Sequence, residues 1–351
     1  MDILADVLTT MLSQLQKPTL AFLIGGMAIA AMGSKLEVPE PVYKFIVMLL
    51  LLKVGIGAGI SVREANLAEL AVPAIGAALV GITIVLLGRA TLARLKGVSQ
   101  IDGIATAGLF GAVSASTLAA GMAVLDDEGI AYEGFIGALY PFMDLAALMT
   151  AIVLARMAAE RKAAAAVQAG GTATLQEAPA PSGLDTQMLK SILIDTLRSP
   201  AVSALILGLA LGLLGRPDSV YQSFYEPLFR GLLSVLMLVM GIEAWQRLGE
   251  LRRVAHAYVG YGLVAPLIHG ALGFGVGLIA HQLTGFSAGG TVLLAVMAAS
   301  SSDISGPPTL RAALPEANPS SYIGTSTGLG TPIAILSIPM WVALADIFIG
   351  L

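Results

Sequence analysis

Five oxygen-bearing side chains crowd together in the stretch "AASSSDISGPPTLRAA": Ser300, Ser301, Ser302, Asp303 and Ser305, followed at once by Pro307 and Pro308. A smaller set, Ser114, Ser116 and Thr117, occupies "FGAVSAST" at 110–117. Both sets interrupt apolar runs, and the residue types suit the capture of a small anion. A helix restarted inside such a run presents unpaired N–H groups and the positive end of its dipole, to which serine hydroxyls add further donors. Pro307 and Pro308 fit the first turn of a new helix, where a missing N–H costs nothing, with Ser305 or Asp303 as the cap; Ser114 or Ser116 fills that place in the first set. For any single serine the competing role is a bond back to the carbonyl one turn earlier. Serines gathered at two matched places favour binding.

Carboxylates in apolar surroundings are costly and mark functional positions. Asp303 lies at the second interruption, and Asp144 lies in "YPFMDLAA". With hydroxyls and freed backbone carbonyls, these oxygens suit a small hard cation such as Na+, which would offset the anion's charge. A proton relay, or a structural pair with Lys53, is the alternative role for either acid.

The elements that must position these groups are set by composition. The chain of 351 residues is 56% hydrophobic and 12% charged, with mean hydropathy +0.85, which marks an integral membrane protein. Apolar stretches of roughly 17 to 27 residues fit helices crossing a hydrocarbon core, and the period-2 alternation of a β-barrel is absent. The expected class is therefore all-α. There is no cysteine, so thiolate metal sites and cysteine nucleophiles are excluded. Residues 1–16 lack a basic start and a small-residue cleavage site and read as an amphipathic lead, not a signal peptide. The thin net charge of −4 gives no reason to expect nucleic acid. No HExxH, GxSxG or P-loop pattern occurs, so neither an enzyme nor an ATP-driven pump is expected, and no cofactor.

Punctuation by Gly, Pro and charge predicts ten spans, near 18–34, 40–61, 68–93, 101–125, 131–156, 200–215, 221–246, 254–281, 288–315 and 320–348. Residues 158–190 are Ala-, Gly-, Pro- and Gln-rich, carry no apolar span and read as an aqueous linker between residues 1–157 and 191–351. The two parts align with each other: Gly55 on Gly241 and Ser114 on Ser300 share an offset of 186, while Ile136 falls on Ile323 with one residue more. A duplicated unit of five spans forces opposite orientations, giving two inverted repeats with helices four and nine broken at corresponding positions, a pattern of secondary transporters. A cytoplasmic linker collects Arg89, Arg94, Lys96, Arg156, Arg161, Lys162, Arg247, Arg252 and Arg253 on its side. The other side keeps Lys17, Arg63 and Arg216, which places both termini outside the cell inner (plasma) membrane.

Other polar residues read as packing. Lys53 is a candidate partner for Glu243, with snorkelling as the alternative. His269 reads as a hydrogen-bonded packing residue, His256 and His281 as span-end residues. The glycines of "GIGAGI" at 55–60 and "GALGFGVG" at 270–277 predict close helix contacts.

At these same residues the chain resembles the sodium-dependent bicarbonate transporter family, of cyanobacterial type. The most specific match is "RAALPEANP" at 311–319, supported by "FGAVSAST", "GIGAGI" and "YEGFIGAL" at 132–139. The resemblance covers essentially the whole membrane region. It implies a ten-helix inverted-repeat fold with core and scaffold (gate) domains, a homotrimer, import of bicarbonate with Na+, and a PII-like regulatory protein at the cytoplasmic face. Carried onto this chain, it puts the anion at Ser114, Ser116, Ser300, Ser301 and Ser302, and Na+ near Thr117, Asp144 and Asp303; Ser305, at the start of the second restarted helix, joins the expected anion site. The chain departs from the pattern at "MDLAA", which has Asp and no Pro where Glu-Ile-Pro is expected, and at "GLGTPIAIL", which has no polar residue after its Pro. The function expected is a Na+-coupled symporter for bicarbonate working by alternating access. A transporter of another small oxyanion or carboxylate coupled to Na+ or H+, a passive anion channel and an anion sensor are the alternatives.

Overall fold

Every regular element among the described residues is a helix. The computed structural model describes residues 18–64, 67–168, 190, 193–194, 196–251 and 256–351. The amphipathic lead at 1–16, and residues 169–189 of the expected linker, lie outside them. In chain order the helices are α1 (Pro18–Ala31), α2 (Glu40–Glu64), α3 (Leu67–Ala90), α4 (Gln100–Gly111), α5 (Ala115–Glu128) and α6 (Tyr140–Gln168), the last entered through a 3-10 turn at Gly134–Leu139. They continue with α7 (Pro200–Leu214), α8 (Glu226–Leu251), α9 (His256–Thr284), α10 (Ala288–Ala299), α11 (Gly306–Ala313), α12 (Pro319–Thr325), α13 (Thr331–Leu336) and α14 (Ile338–Phe348). Wide π turns occur at Tyr221–Tyr225, ahead of α8, and at Ser326–Gly330, between α12 and α13.

A chain this apolar has little choice but to satisfy its peptide groups within helices. Seven helical stretches among the described residues are long and apolar enough to cross a membrane, and three shorter apolar helices, Pro18–Ala31, Pro200–Leu214 and Ala288–Ala299, accompany them. Large side chains such as Ile75, Leu79, Leu207, Val264 and Leu283 remain exposed, as a lipid-facing surface requires. The opening part of the expected linker differs from expectation: α6 continues through residue 168. The run "AAERKAAAAVQ" is rich in strong helix formers, which carry the helix on.

Close packing follows the glycines. Gly55 and Gly59 on α2 face Gly208 and Gly212 on α7, and a Cβ at Gly59 would stand 2.9 Å from the Gly212 Cα. On α9, Gly273 meets Ala298 and Leu294, and Gly277 meets Thr291, so that α9 lies against α10. The glycine contacts are thus internal to the chain.

Two carboxylates tie the ends of the helices that bear the interruptions. Glu133 accepts the Ser287 amide at 2.6 Å and its hydroxyl at 2.8 Å, while Ser287 caps α10 through the Gly290 amide. Asp102, in the first turn of α4, accepts the Asn318 amide at 2.8 Å just before α12. The segment "RAALPEANP" is therefore a tight connection from α11 to α12, held also by Arg156, whose guanidinium donates to the Ala313 carbonyl at 3.3 Å.

Lys53 departs from its expected pairing. Its ammonium lies 4.2 Å from the centre of the Phe229 ring and 5.9 Å from that of Tyr221, so aromatic faces take the place of Glu243. His269 is buried and packs edge-on against Phe110 and Tyr261, as a packing residue should. Its Nδ1, however, meets no hydrogen-bond partner among the described residues, contrary to the hydrogen-bonded role expected.

Candidate functional site

The two interruptions, 112–114 and 300–305, lie against one another. Helix α4 stops at Gly111 and α5 starts at Ala115; α10 stops at Ala299 and α11 starts at Gly306. The Ser114 amide donates to the Ser300 hydroxyl at 3.0 Å, the Ser302 amide to the Leu109 carbonyl at 2.8 Å, and the Ser116 hydroxyl to Asp303 Oδ2 at 2.5 Å. Three hydrogen bonds between segments nearly 190 residues apart bring the starts of α5 and α11 to one place.

The helix starts are capped differently. At α5 the cap is Ser114, whose hydroxyl accepts the Thr117 amide at 3.1 Å. Ser116, the other candidate, turns to Asp303. At α11, Ser305 holds the cap position but makes no cap bond with its side chain. Its hydroxyl donates to Asp144, 3.1 Å from Oδ2, and the free Gly306 amide is taken by Ser302 at 2.9 Å. Neither Ser305 nor Asp303 is therefore the side-chain cap. A carboxylate behind Ser305 draws its hydrogen inward, and Ser302, one turn earlier, stands free to accept.

Asp144 touches both interruptions, accepting the Val113 amide at 3.2 Å as well as the Ser305 hydroxyl. It is fully buried, as are Ser114, Thr117, Ser300, Ser301, Ser302 and Ser305, with Ser116 at 1% exposure. Asp303 receives Ser116 on Oδ2, whereas its buried Oδ1 meets no donor among the described residues. The two carboxylates lie within electrostatic reach of each other. Thr117 is bonded to Ser114 through both its amide and its hydroxyl, not to either acid. Ser300 shows the competing role, a back-bond, donating to the Met297 carbonyl at 2.7 Å.

Ser301 faces a third element. Its hydroxyl donates to the Ser326 carbonyl at 3.2 Å, accepts the Ser326 hydroxyl at 2.9 Å, and touches the Thr331 hydroxyl at 3.2 Å. Ser326 opens the π turn Ser326–Gly330 and Thr331 follows it. Sequence reasoning missed Ser326 and Tyr140, whose hydroxyl lies 3.3 Å from Ser305. The polar run "TST" at 325–327 inside an apolar stretch was the signal for the former; Tyr140 had none.

Chemically, the arrangement offers two helix N-termini, a layer of serine hydroxyls and two acids, Asp144 fully buried and Asp303 partly so. Oxygen ligands of this kind fit a hard monovalent cation, and the Asp303 Oδ1, without a short hydrogen bond among the described residues and with the Tyr43 hydroxyl nearby, is a natural first ligand. Among the described residues no group of three or more His, Asp or Glu is placed to hold a metal ion by itself. The helix starts and hydroxyls fit a small oxyanion. A search of curated proteins found no match. A family model described as the Na+-dependent bicarbonate transporter superfamily matches residues 18–346.

Proposed function

Because the chain belongs to the Na+-dependent bicarbonate transporter superfamily, we propose that it is a Na+-coupled symporter that brings bicarbonate into the cell by alternating access. It is a multi-pass membrane transporter, not an enzyme. The observation that carries the finer reading is the meeting of the α5 and α11 starts, with Ser114, Ser116, Ser300, Ser301, Ser302 and Ser305 gathered about them. In this reading the anion is held between those helix starts and Na+ beside it at Asp303 and Asp144, with Thr117 supporting Ser114.

Alternating access needs a substrate site that is closed by protein and moves as a unit. The complete burial of the serine layer supports such a site. The carboxylate ties at Ser287 and Asn318 favour the helices around it travelling together. A channel would instead need polar groups along its length, and polarity here is concentrated at one depth. Two inverted five-span repeats divided by a cytoplasmic linker, termini outside the inner membrane, a homotrimer in lipid and a PII-like cytoplasmic regulator complete the proposal. They rest on the internal alignment, the charge bias and the family.

Uptake of ¹⁴C-bicarbonate into proteoliposomes tests it. Accumulation that follows an imposed Na+ gradient is expected; flux that ignores Na+ removes the symport mechanism, and single-channel current steps would replace transport by a pore.

A further inference from the structure

A hydroxyl carries one hydrogen, and this count sets the direction of two serine chains in the site. Ser116 gives its hydrogen to Asp303, so Ser114 is the donor in the 2.8 Å contact between Ser114 and Ser116. Ser114 in turn accepts from the amide and hydroxyl of Thr117. The second chain has the same polarity. Ser305 gives its hydrogen to Asp144, so Ser302 is the donor in its 2.9 Å contact with Ser305, and Ser302 accepts the Gly306 amide. Each chain starts at a helix N-terminus and ends on a carboxylate from the other interruption's side of the site.

These are the hydrogens an oxyanion at this place would need. With both acids ionised, the anion competes with Asp303 and Asp144 for the same donors and meets their negative charge as well. A cation relieves both difficulties, and the two acids differ in their readiness for one. Asp144 is already held by the Val113 amide and Ser305, while Asp303 keeps one buried oxygen with no hydrogen bond of ordinary length among the described residues, the Tyr43 and Ser114 hydroxyls being its further polar neighbours.

We propose that Ser116 couples the two substrates: a monovalent cation taken up by Asp303 displaces the Ser116 hydrogen, which then turns to the anion. The exchange makes and breaks only hydrogen bonds. It deepens the reading of the chain as a Na+-coupled anion transporter, on which it rests. Linkage requires the effect to be mutual, with each substrate tightening the other by the same factor, about tenfold or more for one charge-assisted hydrogen bond.

The test uses the full chain in lipid nanodiscs, with equilibrium binding of ¹⁴C-bicarbonate and ²²Na+, each measured with and without the other. Asp303→Asn removes the competing charge, so bicarbonate without Na+ should bind about tenfold or more tighter than to the parent chain, with no further response to Na+. Ser116→Ala should lower the coupling factor about tenfold in protein that still takes up ²²Na+, leaving the part due to direct charge attraction, and Ser116→Thr, which keeps the hydroxyl, should restore it. Asp303→Asn binding bicarbonate no tighter than the Na+-free parent, or Ser116→Ala retaining the full coupling factor, overturns the proposal while leaving symport standing. A parent chain in which Na+ and bicarbonate do not affect each other's binding removes the underlying symport reading itself.

Discussion

The amide of Ser114 donates to the hydroxyl of Ser300 across 3.0 Å, joining residues 186 positions apart. That separation is the offset at which Gly55 falls on Gly241 in the internal alignment. Replacing Ser300 by alanine strands the buried Ser114 amide, a loss of about 1–3 kcal/mol. Thermal unfolding in detergent should show a lowered midpoint, with bicarbonate uptake reduced; Ser300→Thr should recover both.

Ser302 is pinned from both ends, its amide on Leu109 and its hydroxyl on Gly306. Ser302→Leu drives a large apolar group between two helix starts, and overpacking of this kind costs about 1–3 kcal/mol. The protein is expected to remain folded by size-exclusion chromatography and to lose uptake. Normal uptake by this variant would move the anion elsewhere.

Asp144 bridges the interruptions, so its removal should be felt as both structure and transport. Asp144→Ala leaves the Val113 amide without a partner, at about 1–3 kcal/mol. Asp144→Asn keeps an acceptor oxygen and removes the charge. The expected order of melting temperature is parent, then Asn, then Ala, with uptake lost in both variants. An Asn variant that retains full Na+-driven uptake would take Asp144 out of the cation site.

Gly212 lies against Gly59 with no room for a side chain. Gly212→Val should separate α2 from α7 and lower the unfolding midpoint by several degrees in a thermal melt. An unchanged midpoint would contradict the close approach.

Lys53 sits on Phe229 and not on Glu243. The double-mutant cycle of Lys53→Met with Glu243→Gln should be additive to within about 0.5 kcal/mol, as for residues that share no contact. A larger coupling, measured by denaturation of each variant, would restore the pair.

The all-helical membrane class was legible because hydropathy is a property of each segment taken alone. The candidate residues stood out for a similar reason: serines and acids are conspicuous in runs of Leu, Ala and Val. Their partners were not legible. Whether Ser302 or Ser305 accepts the Gly306 amide depends on Asp144, 161 residues from Ser305, and nothing local to 300–306 records that carboxylate. Lys53 failed in the same way, since an ammonium accepts an aromatic face as readily as a half-buried acid, and only the packing of α2 on α8 decides between them. The helical start of the linker was missed because Gly and Pro further along dominated its composition, while the first eleven residues hold neither.

The π turn at Ser326–Gly330 is, in helical terms, one residue too many in a single turn. An added residue advances the phase of everything beyond it by about 100°. That shift decides which side of the following helix meets the serine layer, and it presents Thr331 to Ser301. A one-residue deletion there would barely change composition or hydropathy and would keep every side chain of 300–305, yet turn Thr331 away from Ser301. The length of this stretch carries as much of the site as its chemistry.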